Sequence, residues 1–173
     1  MTPLIFLALI IIVAVSALWA SFSAAPWLPT RAKDIDRLLE LAKLSPGSLV
    51  YDLGCGDARL LMRAARKYGA HGVGFEISIL PFLWSWVRVA LSKERGRITI
   101  KYRNFYQVDL AAADAVVCFL TPPAMIKLEP KLRQELRSGS CFVTYCFKLP
   151  TWQPTTVSRP DKKDIPIYVY TKN

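Results

Sequence analysis

Two glycines one residue apart, Gly54 and Gly56, close the apolar run Val50-Tyr51-Asp52-Leu53 and open the charged stretch Asp57-Ala58-Arg59. A strand that ends on Gly-x-Gly lets a ligand approach its backbone, because no side chain blocks the way and glycine accepts positive φ. The backbone amides of such a turn are expected to face that ligand. The charge pattern narrows its chemistry. A dinucleotide fingerprint needs a third glycine, at G-x-G-x-x-G, for close helix packing around a pyrophosphate, and here that position is Arg59. Asp52 precedes the turn and Asp57 lies inside it, which favours a ligand carrying an ammonium or sulfonium over one carrying two phosphates. Glu76 stands twenty residues after Gly56, at the end of the run Gly72-Val73-Gly74-Phe75. In dinucleotide-binding folds an acid at that spacing accepts hydrogen bonds from ribose hydroxyls. The simpler alternative is a tight strand-to-helix turn with a surface acid beyond it.

Asp52-Leu53-Gly54-Cys55-Gly56 resembles motif I of the class I methyltransferases, which bind S-adenosylmethionine. The resemblance implies a cofactor site built from Asp52, Gly54, Cys55, Gly56, Asp57 and Glu76, with Asn104 near the adenine. Motif I often continues to one more glycine, and Ala58 stands there instead. The apolar run 115–120 stops at Thr121-Pro122-Pro123, which resembles the Asp/Asn-Pro-Pro-Tyr motif of methyltransferases that act on amines. Thr121 replaces the acid or amide and Ala124 the aromatic. Thr121 and Pro122 are therefore expected to position a substrate, with the backbone carbonyls of 120–122 holding an amine.

Several segments together look like one group. They are Pro29-Thr30, Ser45-Pro46-Gly47, the glycine turn, Glu76, residues 119–123 and Phe147-Lys148-Leu149-Pro150-Thr151-Trp152-Gln153-Pro154. The chain resembles, over about residues 26–170, the membrane-anchored lysine methyltransferases that modify the mitochondrial ATP synthase c-subunit and adenine nucleotide translocase, and their prokaryotic relatives. That resemblance implies attack of a lysine amine on the methyl of a sulfonium, with positioning supplying most of the rate. Making a neutral lysine amine at pH 7 costs roughly 4–5 kcal/mol, and a buried, cation-bearing site lowers that cost without a dedicated base. Trp152 either walls the lysine channel, using its ring face on the cation, or packs the closing hairpin.

The elements that must position these residues alternate along the chain. The apolar pattern predicts a helix over 34–44, then strand 48–53, helix 57–68, strand 71–76, helix 79–94, strands 97–102 and 114–120, helix 124–137 and strand 140–147. A strand at 165–170, with a short partner near Val157, is expected to close the sheet as an antiparallel hairpin. The alternation predicts an α/β fold, a Rossmann-like doubly wound and mostly parallel sheet. Helix 79–94 carries two apolar faces at 100° per residue, one of Leu80, Leu83, Trp84, Val87 and Leu91, the other of Phe82, Trp86 and Val89. One must pack on the sheet; the second is left for a bilayer, the anchor, a substrate or further burial.

Residues 3–28 carry no charge, and about 20 such residues can span a bilayer. The expected organisation is a transmembrane anchor at 1–25, a linker and leading helix at 26–47, and a methyltransferase domain at 48–173. Ser23-Ala24-Ala25 offers the alternative of a cleaved signal peptide. Arg31, Lys33 and Arg37 after the run place the domain on the cytoplasmic face of a single-pass protein, or at the mitochondrial membrane in a eukaryote. The net charge of +10 suits anionic lipid beside an anchor, while nucleic acid is disfavoured for want of an appended binding module. Cys55, Cys118, Cys141 and Cys146 form no C-x-x-C pair, so neither zinc nor a disulfide framework is implied. His71 precedes the second strand, at the end away from the ligand edge. The expected acceptor is lysine on a membrane protein; a lipid or quinone, or a non-catalytic tethered scaffold, are the alternatives.

Overall fold

The computed structural model describes residues 3, 5–7, 10–11 and 30–173. Helix α1 (Ala32–Leu41) leads into strand β1 (Leu49–Leu53), then α2 (Arg59–Tyr68), β2 (His71–Glu76), α3 (Ile79–Ala90) and β3 (Ile98–Tyr102). A 3-10 turn (Phe105–Gln107) precedes β4 (Ala115–Cys118), α4 (Pro122–Glu135) and β5 (Cys141–Tyr145), and the hairpin β6 (Thr156–Ser158) and β7 (Ile167–Thr171) ends the fold. The seven strands order as β3-β2-β1-β4-β5-β7-β6. β1 to β5 pair in parallel, and β7 runs antiparallel to both β5 and β6. This is the expected doubly wound α/β sheet with its antiparallel closure. Strand order reverses between β1 and β4, so the carboxyl ends of Leu53 and Cys118, which are register partners, flank the crevice where such sheets bind ligands.

Burial explains why the central strands read as continuous apolar runs. Val50, Leu53, Val116, Val117, Phe142 and Val143 are fully buried, as both faces of a parallel sheet require. One face is covered by α1, α2 and α3 through Leu38, Leu39, Leu61, Ala64 and Val89. The other is covered by α4 through Met125, Leu128 and Leu132, with Tyr170 and Leu149 from the closing segment. Element ends shift from the sequence expectation for local reasons. α4 begins at Pro122 rather than 124, because proline has no N–H to leave unsatisfied in a first helical turn. α2 begins at Arg59 rather than 57, because Ala58 is left-handed with φ +59°.

Periodicity assigned the two faces of α3 correctly as stripes but not in every member. Ser85 and Val89 are buried and Phe82 packs on Tyr102 with ring centroids 5.2 Å apart. Trp86, expected to share that side, is exposed along with the whole Leu80 to Leu91 stripe. The expected anchor at 1–25 falls mostly outside the described residues, and among the described residues no helix is long and apolar enough to cross a membrane.

β2 passes close enough to the glycine turn to leave no room for a side chain at Gly74. A Cβ added there would lie 2.6 Å from Cys55 Sγ and 3.0 Å from Ile100 Cδ1. Gly74→Ala is expected to destabilise the protein by roughly 1–3 kcal/mol through overpacking. A lowered urea midpoint would show it, and an unchanged midpoint would mean that Cys55 is not wedged against β2.

Candidate active site

The turn between β1 and α2 is built from three left-handed residues, Gly54 (φ +81°), Gly56 (φ +54°) and Ala58 (φ +59°). The first two are easy for glycine, and Ala58 carries the strain of a side chain in a region that favours glycine. The turn's amides do not face outward as the motif suggested. Gly54 and Cys55 both donate to the Phe75 carbonyl, at 2.9 and 3.1 Å, and Ala58 donates to the Cys55 carbonyl at 2.9 Å. Gly56 N–H donates to Glu76 Oε2 at 3.1 Å. The cause is the close approach of β2, whose last residues absorb the donors a phosphate would have needed. Acceptors and acids therefore dominate the crevice, and it suits a cation.

Asp52 and Glu76 supply those acids. Glu76 is buried and accepts from Ile77 N–H at 2.9 Å and Ser78 N–H at 2.8 Å through Oε1, as well as from Gly56. Its carboxylate is fixed by the start of α3 on one side and by the turn on the other. Asp52 is also buried, and among the described residues its carboxyl has no hydrogen-bond partner. Burial above all, then the negative charges of Glu76 and Asp57, push its pKa up to about 8. A buried acid without a partner, beside a glycine turn, is the setting in which a bound cation restores ionisation.

Asp57 is committed elsewhere. Its carboxylate takes a fork from Arg59, with Nε at 2.9 Å and Nη2 at 2.8 Å, and an ion pair from Arg88, whose Nη1 also reaches the Asp57 carbonyl at 3.0 Å. Burial alone would raise its pKa, but Arg59 and Arg88 together hold it below the usual carboxylate value. Asp57 thus ties α3 to the turn. Cys55 points into the core, where burial keeps its thiol protonated. Asn104 caps the 3-10 turn, its Oδ1 accepting from Tyr106 N–H at 3.0 Å, directly beyond β3 at the ligand edge. Thr121 caps α4 and Pro122 opens it, on the far side of the crevice from the glycine turn; Leu120 Cδ2 lies 3.5 Å from a Cβ built at Gly54. The Thr121 carbonyl, expected to help hold an amine, accepts from Met125 N–H at 3.0 Å, because a residue capping a helix gives its carbonyl to the first turn.

Trp152 is placed differently. Its ring packs 5.6 Å from Tyr170, which pairs with Phe142 near the amino end of β5, and the Arg133 guanidinium sits 5.1 Å from the ring centroid. The hairpin setting is the one realised, with an internal arginine as the cation. His71 is exposed at the opening of β2, opposite the ligand edge.

Sequence reasoning missed two members of this neighbourhood. Arg88 is the one charged residue of the helix Ile79–Ala90, and a lone charge in so apolar a helix was the available signal. Tyr145, at the carboxyl end of β5, donates to Asp34 Oδ2 at 2.7 Å, and Arg37 Nη2 holds Asp34 Oδ1 at 2.9 Å and the Ile165 carbonyl at 2.6 Å. Phe119 meets the Tyr145 ring edge-on at 4.9 Å. These contacts strap α1 and the closing hairpin to the ligand edge, and no local pattern announces them.

The residues fit S-adenosylmethionine on three observations: the glycine turn, the unpartnered buried Asp52, and Glu76 held in place as an acceptor. Asp52 suits the amine and sulfonium end by its charge, and Glu76 suits ribose hydroxyls. Among the described residues no cluster of three His, Cys, Asp or Glu could hold a metal. Comparison with known proteins agrees. The family described as the ANTKMT methyltransferase domain matches residues 52–156. A Saccharolobus islandicus protein named protein-lysine N-methyltransferase is 34% identical over 84% of this chain and 91% of its own length. The human lysine N-methyltransferase of the ATP synthase c-subunit, 30% identical over 77% of this chain, is spanned over 56% of its length. A Salinibacter ruber structure, described as an RNA methyltransferase in complex with S-adenosyl-L-homocysteine, is 30% identical, with a TM-score of 0.79 over 83% of this chain and 93% of that one. The chain belongs to the ANTKMT methyltransferase domain family and is an S-adenosylmethionine-dependent methyltransferase of class I fold.

Proposed function

We propose that this enzyme methylates lysine side chains of a membrane protein, working at a bilayer in which residues 1–25 anchor it. The observation that carries the cofactor half is the acceptor-lined crevice of Asp52 and Glu76, whose neighbouring amides are already spent on Phe75 and Glu76. Lysine as acceptor is supported by the named activities of the Saccharolobus and human relatives. A membrane-protein acceptor is supported by the human relative's name together with the uncharged run in this sequence.

When bound, the cofactor supplies a methyl group on a positively charged sulfur. The chain's residues do the remainder. Asp52 and Glu76 hold the donor, Thr121 and Pro122 shape the opposite wall against which an amine is oriented, and Phe119 with Tyr145 keeps that wall dry. A lysine entering this wall meets low dielectric and a cationic donor, and both favour the neutral amine over ammonium. A dedicated base is not needed. Arg88, through Asp57, keeps the start of α2 in register with the turn.

A second reading takes RNA as the acceptor, supported by the activity for which the Salinibacter protein is named and by the net charge of +10. One experiment separates these and the lipid alternative. The purified enzyme is incubated with tritiated S-adenosylmethionine and a membrane fraction that retains RNA, and label is then counted in protein, lipid and nucleic acid. Label is expected in protein; label confined to lipid or RNA would replace lysine as the acceptor.

A further inference from the structure

We propose that the outer face of α3 is a docking surface for an anionic lipid bilayer, with the helix lying along the headgroup plane. Leu80, Leu83, Trp84, Val87 and Leu91 repeat at helical spacing, directly opposite the stripe of Phe82, Ser85 and Val89 that packs on the sheet. They are not a partly covered core edge: Trp84 is 57% and Leu91 84% exposed, and Trp86, on the flank, is 55% exposed. A helix with this much unpartnered aliphatic and tryptophan surface matches the interfacial type, which buries one face into the headgroup and acyl boundary. Tryptophan favours that depth.

Charge identifies the occupant. α3 packs on β3, the edge strand of the sheet, so the helix, the following loop and β3 form one end of the molecule. Between residues 77 and 108 the basic residues are Arg88, Lys93, Arg95, Arg97, Lys101 and Arg103, and the only acid is Glu94. Glu94 is buried and already paired with Arg66 at 2.9 Å. Arg88 is spent on Asp57, and Arg97 donates to the Gly69 carbonyl at 2.9 Å. Lys93, Arg95, Lys101 and Arg103 remain exposed, with no ion pair among the described residues. Lys93 and Arg95 in the loop leaving the helix, with Lys101 and Arg103 on and just past the edge strand, give this end of the molecule a positive charge that no exposed acid between residues 77 and 108 offsets, and it complements a negatively charged leaflet. A second copy of this chain would bring the same cations against them.

The placement bears on catalysis. α3 begins at the amides that hold Glu76 and is joined to the glycine turn by Arg88, so a bilayer under α3 sets the height and tilt of the donor site above it. The inference rests on the bilayer part of the proposed function, but its readout is optical and independent of methyl transfer, so the two can fail separately.

The test uses full-length wild type and the double variant Trp84→Phe, Trp86→Phe, reconstituted in vesicles of phosphatidylcholine with or without phosphatidylglycerol, with brominated acyl chains as quencher. The wild-type minus variant difference isolates the two α3 tryptophans from Trp19, Trp27 and Trp152. That difference is expected to be quenched by brominated lipid in phosphatidylglycerol vesicles, less so in phosphatidylcholine alone, and less again on adding salt. Quenching of the difference signal by aqueous acrylamide and not by lipid would overturn the proposal. Shielding from both, as a second copy or the chain's own N-terminal segment would produce, would overturn it too, and so would equal quenching in the two lipid mixtures.

Discussion

Glu76→Gln weakens S-adenosylmethionine binding by about a hundredfold or more in calorimetry. The carboxylate has two oxygens, and the structure uses both as acceptors for backbone amides, Oε2 for Gly56 and Oε1 for Ile77 and Ser78. Ribose hydroxyls would add to this set. Glutamine offers one oxygen and turns an NH2 group towards amides that can only donate. The ligand then loses charge-assisted hydrogen bonds worth roughly 1.5–3 kcal/mol each, and two of them correspond to at least the hundredfold loss expected. Because the same carboxylate anchors the first turn of α3, the variant is also expected to unfold at lower temperature. Circular dichroism at the calorimetry temperature separates lost affinity from lost fold. Unchanged affinity in a folded variant would remove the ribose from this position.

Asp52→Asn is expected to act in opposite directions on stability and binding. In the folded protein without ligand the Asp52 pKa is pushed up to about 8, by burial first and then by Glu76 and Asp57. Unfolded, the same group titrates near the ordinary value of 3.8. Between these limits the native state holds a proton that the unfolded state has released, so the group's contribution to stability falls as pH rises from about 4 to about 8. Above pH 8 the native state carries a buried charge at a cost on the order of 5 kcal/mol. Asparagine removes that cost. The variant's melting temperature should match wild type at about pH 4 and below, exceed it increasingly as pH rises to about 8, and keep that margin at higher pH. Affinity for a cationic ligand should fall about tenfold or more, because an asparagine side chain has no charge to offer it. Wild-type binding should tighten with pH up to about 8 and, below that, release a proton detectable in buffers of different ionisation enthalpy. Parallel stability curves for the two proteins from pH 5 to 9 would show that Asp52 is not a strained acid.

Local features carried the glycine turn and its acids through from sequence to structure. Strand, Gly-x-Gly, helix and the acid ending the next strand lie within a short stretch of chain, and their positions follow from periodicity and glycine's backbone freedom alone. The closing hairpin was legible for the same reason. The fate of the turn's amides was not, because Phe75, which takes two of them, approaches only when β1 and β2 pair. Arg88 reaches Asp57 across 31 residues, a distance that no helical or strand period encodes. For Trp152 the sequence leaves a lysine channel and the closing hairpin equally open, and it is the pairing of β5 with β7 that seats the ring on Tyr170, near the amino end of β5. For α3, periodicity separates the two stripes but cannot say which meets the sheet. Packing decides that, and the smaller residues Ser85 and Val89 allow the closer approach to β2 and β3.

If the crevice of Asp52 and Glu76 delivers a methyl group to a lysine amine, the product carries that methyl on the lysine ε-nitrogen. The most direct measurement of this is peptide mass spectrometry on the membrane protein labelled in the tritium experiment, with wild type and Glu76→Gln in parallel. At a cofactor concentration below the wild-type dissociation constant, methylation is expected on the lysine ε-nitrogen with wild type and at least tenfold less of it with the variant. Methyl groups on a different side chain, or equal labelling by the two proteins, would contradict that delivery.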